Sequence, residues 1–147
     1  MTSAATDRPA LVGPHDDREL ALMLAGRKPA AMFYDVVPAS IDLPEADFAP
    51  HVTAGRLVRR EEIYAGRDGG RAMRYVYYVL PGEMQRLEQL HAINAAIYSG
   101  QRQATEADDI EIGRLLGYTE AEIAAYVKHS RGLRQKLRQM APQTDQP

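Results

Sequence analysis

Cysteine and tryptophan are absent from this 147-residue chain, phenylalanine occurs only twice, and no long apolar run is present. Each absence removes a class. Without cysteine there is no disulfide scaffold, no thiolate zinc module and no thiol nucleophile. The apolar stretch at residues 75–80 falls far short of the roughly 20 residues of a membrane-spanning helix, so no membrane partner is expected. Residues 1–13 lack the basic start and apolar centre of a secretory signal, and the expected location is cytoplasmic. No Gly-x-x-x-x-Gly-Lys loop occurs, and His15, His51, His91 and His129 stand at no metal-ligand spacing; no cofactor and no metal are expected. Neither sign of charge dominates. Eighteen Lys and Arg against 20 Asp and Glu leave a net charge of −2.

What is present is 45% hydrophobic and 26% charged, enough for one domain around one core. Residues 1–15 and 141–147 carry no apolar period and are expected to be flexible tails, which leaves a single domain at 16–140. Asp16, with Glu19 three residues on, reads as the cap of a first helix whose stripe is Leu20, Met23 and Leu24. Residues 31–37 are aromatic and β-branched and predict a strand. Residues 39–50, with Pro44 and Pro50, read as a surface loop. Residues 55–64 and 71–80 flank a glycine-rich reversal and predict a β-hairpin. Its second arm, apolar on both faces, predicts a central strand, whereas Arg59-Arg60-Glu61-Glu62 suits a protected edge. After Gly82 the period changes to 3.6. A helix is predicted over 83–98, and Thr105 to Asp108 and Thr119 to Glu122 are capping signatures of two more. The predicted fold is α+β, a small antiparallel sheet of one strand plus a hairpin, with an N-terminal helix and a C-terminal three-helix segment packed on it.

Three surfaces are candidates for function. Eight tyrosines against two phenylalanines is an unusual ratio, and several cluster on the hairpin. Met73, Arg74, Tyr75, Tyr77 and Tyr78 have the composition of a protein-binding surface, provided one sheet face stays open. On the central helix His91, Asn94 and Tyr98 share one stripe, as a general acid or base with its orienting partners would; no nucleophile stands at a recognisable spacing to them.

Third, Ile112, Gly113, Leu116, Gly117, Ile123 and Tyr126 fall where a small residue lets two helices cross closely and a glycine four positions later makes the turn. Residues 109–128 resemble the helix-turn-helix of bacterial DNA-binding proteins, which implies a second helix entering the major groove. The start of that helix here is Thr119, Glu120, Ala121 and Glu122, whose carboxylates repel phosphates. Lys128, Arg131, Arg134, Lys136 and Arg138 make its remainder basic and would be the nucleic-acid contacts. The leading expectation is a non-catalytic binding or regulatory protein that engages a protein partner through the tyrosine-rich sheet face. The alternatives are nucleic-acid binding by the last two helices and a small enzyme built on His91, Asn94 and Tyr98.

Overall fold

A computed structural model describes residues 17–66 and 69–140, apart from the side chains of Arg134, Leu137, Arg138 and Met140. The elements are α1 (Glu19–Leu24), β1 (Ala30–Val36), α2 (Glu45–Thr53), β2 (Val58–Tyr64), β3 (Met73–Val79), α3 (Met84–Tyr98), α4 (Glu106–Leu115) and α5 (Glu120–Met140). The class is α+β, as expected. Among these helices none is long and apolar enough to cross a membrane.

The sheet has the order β1-β3-β2, antiparallel throughout, with Phe33 opposite Val76 and Glu61 opposite Val76 on the other side. The doubly apolar arm is therefore central and the charged arm an edge. Alternation puts Tyr75, Tyr77 and Val79 on one face and Val76 and Tyr78 on the other. The first face meets Leu87, Leu90, Leu115 and Leu116; the second meets Met23, Phe48 and Leu57. Three layers result, with α1 and α2 below the sheet and α3 and α4 above it.

Residues 39–50 are not all loop, because α2 begins at Glu45 and carries Pro50 inside it. The proline forfeits one N–H, and the helix forms because it buries Phe48, which stacks on Tyr78 at 4.2 Å between centroids and meets Phe33 edge-on at 5.4 Å. Asp16 lies outside the described residues, but α1 starts later than a cap at that position implies, at Glu19 itself, with Arg18 at its N-cap and no side-chain cap there. The other two caps are reciprocal. Asp108 N–H donates to Thr105 Oγ1 while Thr105 N–H donates to Asp108 Oδ2, and Glu122 N–H and Thr119 N–H do the same with Thr119 Oγ1 and Glu122 Oε1.

Gly113 and Gly117 hold α4 and α5 where they are. A Cβ on Gly113 would stand 2.8 Å from Ile123 Cγ1, so only glycine allows this crossing. Gly117 has φ +89°, and a Cβ there would stand 2.5 Å from Pro29 Cδ. The last carbonyls at the end of α4 are met from outside the helix. Lys28 Nζ donates to the Leu116 carbonyl at 2.6 Å, and Arg86 donates to those of Arg114 and Leu115 at 3.2 and 3.0 Å.

Candidate functional site

The two faces of β3 leave no open tyrosine surface. Tyr75, Tyr77 and Tyr78 are buried, at 5%, 0% and 1% exposure, Met73 packs against the upper core, and Arg74 is paired with Glu45 and Glu61. The expected open sheet face does not exist, because a helix that reads as loop in the sequence covers one side and α3 covers the other.

Between β3 and α3 the tyrosines form a continuous aromatic layer. Tyr34 of β1 stacks on Tyr75 at 4.9 Å, Tyr64 stacks on Tyr98 at 5.2 Å, and Tyr75 meets Tyr64 and Tyr98 edge-on. The hydroxyls of Tyr64, Tyr75, Tyr77 and Tyr98 are all hydrogen-bonded. Tyr75 and Tyr98 share one hydrogen bond of 2.9 Å. A longer chain starts at the Asn94 amide nitrogen, which can only donate. It donates to the Tyr77 oxygen at 2.9 Å and to the Met32 sulfur at 3.6 Å. The Tyr77 and Tyr64 hydroxyls share a hydrogen bond of 2.6 Å, and Tyr64 shares another with His91 Nδ1 at 2.7 Å. Burial pushes the Tyr64, Tyr75 and Tyr77 hydroxyls above the ordinary tyrosine range, so all three keep their protons at neutral pH.

Beside this layer, between β1 on one side and α4 and α5 on the other, lies a cavity of about 470 Å³. That lies within the size range of small-ligand sites. Met32, Tyr34, Tyr75, Asn94 and Tyr98 line its aromatic wall, while Ile112 and Gly113 of α4 and Ile123 and Tyr126 of α5 form the wall facing it. Tyr34 is 49% exposed at the mouth. The Asn94 amide nitrogen is committed to Tyr77 and Met32, and no side-chain oxygen or nitrogen among the described residues is buried without a partner.

The structure divides the residues that the sequence grouped. Asn94 and Tyr98 line the cavity and His91 does not; it stands at the far end of the hydroxyl chain, 4.0 Å from Glu62. Of the hairpin residues only Tyr75 reaches the cavity. On α5, Lys128, Arg131 and Lys136 are exposed, Arg131 is held by Glu106 at 2.6 and 2.7 Å, and the side chains of Arg134 and Arg138 lie outside the described ones. At its start Glu120 pairs with Arg114. Sequence reasoning missed Tyr34, Met32 and Ile112 as lining residues. Each was legible as apolar or aromatic at a regular spacing, but only the docking of α4 and α5 makes them face one another.

No family model matches the chain, and no match was found among curated proteins or solved structures.

Proposed function

We propose that this chain is a binding protein that holds a segment of a protein partner in the groove between β1, α4 and α5. The observation that carries this reading is the 470 Å³ cavity whose aromatic wall is Tyr34, Tyr75 and Tyr98, with Met32 and Asn94 beside them. Tyrosine and methionine supply large contact area, and a polar side chain among them supplies orientation. The polar groups of the layer are engaged with one another rather than aimed together at a reacting atom, which favours binding over catalysis. The partner thus meets the tyrosines at the end of the layer, not on an open sheet face.

The test is selection of peptides from a random displayed library on the full chain, followed by binding to two folded variants. Ala104→Trp places a bulky ring at an exposed lining position, and Tyr34→Ala removes the exposed wall. The reading holds if selected peptides lose at least tenfold in affinity on both variants. It is overturned if no peptide is enriched, or if enriched peptides bind both variants as tightly as the parent.

A further inference from the structure

The last helix outruns the body of the chain. Ile123 and Val127 of α5 are buried, and a Cβ on Gly113 of α4 would meet Ile123, so the first turns of α5 are packed. Arg131 is tied back to Glu106 at the start of α4. Beyond it the described side chains Leu133, Gln135, Lys136 and Gln139 are all exposed, while the helix runs on to Met140. At the rise of an α-helix that is about 14 Å of uncovered helix. The apolar spacing does not stop where the packing stops. Ile123, Tyr126, Ser130, Leu133, Leu137 and Met140 stand three and four residues apart in strict alternation, which sets these positions in one line along the helix. Gly132 lies in this uncovered part, and nothing stands within 4 Å of where its Cβ would be. No close contact within the chain calls for a glycine there, and it costs the helix about 1 kcal/mol against alanine. Packing against a second helix would offset that cost.

We infer that the uncovered end of α5 is a docking surface for an acidic amphipathic helix of a partner protein, paired along the line of Leu133, Leu137 and Met140 with its carboxylates beside Arg134 and Lys136. Width argues for a helix. From residue 128 to residue 140 only those three positions hold large apolar residues, and a stripe so narrow is the seam of a helix pair. A helix that lies in a lipid surface presents a broad apolar face instead. Charge argues for an acidic partner. Residues 123–140 contain five Lys and Arg and no Asp or Glu, and the positions that flank the seam, 129, 134 and 136, are His, Arg and Lys. In a second copy of this chain those flanks would meet their own kind and repel, whereas glutamates at the flanks of a partner helix would attract them. Nucleic acid would engage the cations and leave the leucine seam without a role. This surface is separate from the groove, and the inference stands whether or not the groove holds a peptide.

The experiment uses the full chain and two synthetic three-heptad helices with leucine at the seam positions, one with glutamate and one with lysine at the flanking positions. The acidic helix should bind at least tenfold more tightly than the basic one. Leu133→Ala with Leu137→Ala should weaken that binding at least tenfold; alanine is the stronger helix former, so the loss reports the seam and not the helix. Arg134→Glu with Lys136→Glu should reverse the preference toward the basic helix. If the two leucines can be replaced without loss, the seam is unused and the proposal falls. If neither helix binds, the proposal also falls, and binding of a DNA duplex or of phosphatidylserine vesicles that survives the leucine replacement would then assign the cations to a polyanion. If the free protein sediments as a dimer that the leucine replacement dissociates, the seam belongs to a second copy and the proposal is overturned.

Discussion

Lys28 Nζ donates a 2.6 Å hydrogen bond to the carbonyl of Leu116 and stands 4.3 Å from the centre of the Tyr118 ring. The side chain is 1% exposed, so the lead-in to β1 is bonded directly to the end of α4. This contact, with Gly117 against Pro29, fixes one end of the groove.

Burial pushes the Lys28 ammonium down to about 8, against the opposing pull of Glu19 and Glu122. An unfolded lysine titrates near 10.5, so between about pH 8 and 10.5 the unfolded chain binds more protons, and stability rises with pH across that window. The gain is at most about 3 kcal/mol. Above pH 10 the buried tyrosines act in the opposite sense, since the unfolded chain loses their protons first. Urea midpoints measured from pH 7 to 11 should pass through a maximum near pH 10, and in Lys28→Met the rise above pH 8 should vanish.

Asp108 accepts two hydrogen bonds from Arg102 at 2.7 Å each and two more from Thr105, which hold its carboxyl down to about 2; donors from Ile41, Ser40 and Val36 do the same for Asp35. Both contribute stability that is present above about pH 4 and is lost as pH falls toward 2. Asp108→Asn should lower stability at pH 7 by about 1–2 kcal/mol through the lost cap and flatten the acid limb of the unfolding curve.

Gly113→Ala should destabilise by about 1–3 kcal/mol despite alanine's better helix propensity, because the methyl group meets Ile123. The double variant Gly113→Ala with Ile123→Ala should lose less than the sum of the two single changes. Additivity would show that the close crossing at this position is not what the glycine serves.

The hydroxyl chain makes a further expectation. Tyr64→Phe takes a hydrogen-bond partner from the buried Tyr77 hydroxyl, a loss of about 1–3 kcal/mol. Replacing both, Tyr64→Phe with Tyr77→Phe, removes donor and acceptor together and should recover part of that loss. Chemical unfolding of the two variants side by side measures the difference.

The elements were legible where local signals agree. The glycine-rich reversal between two β-prone arms gives the hairpin, the doubly apolar arm gives the central strand, and the Thr105 and Thr119 caps start α4 and α5 where the sequence says. The helix α2 was hidden because Pro44 and Pro50 dominate its local reading, while the burial of Phe48 against Tyr78 that stabilises it is a contact across 30 residues. Gly113 and Gly117 were read for the right reason, close crossing and turn. The cavity was not legible. It depends on how α4 and α5 dock beside β1, and that is fixed by Lys28 with Leu116 and Pro29 with Gly117, pairs about 88 residues apart that no periodicity connects. The same docking explains why Asn94 and Tyr98, read with His91 as one row, part company with it.

The two outer strands of the sheet end differently. The run Arg59-Arg60-Glu61-Glu62 guards β2, where Arg59 pairs with Glu45 and Arg60 with Glu88, and β1 carries no such charged run. Lateral growth of the sheet is therefore disfavoured on the β2 flank, and an added strand has one edge to choose.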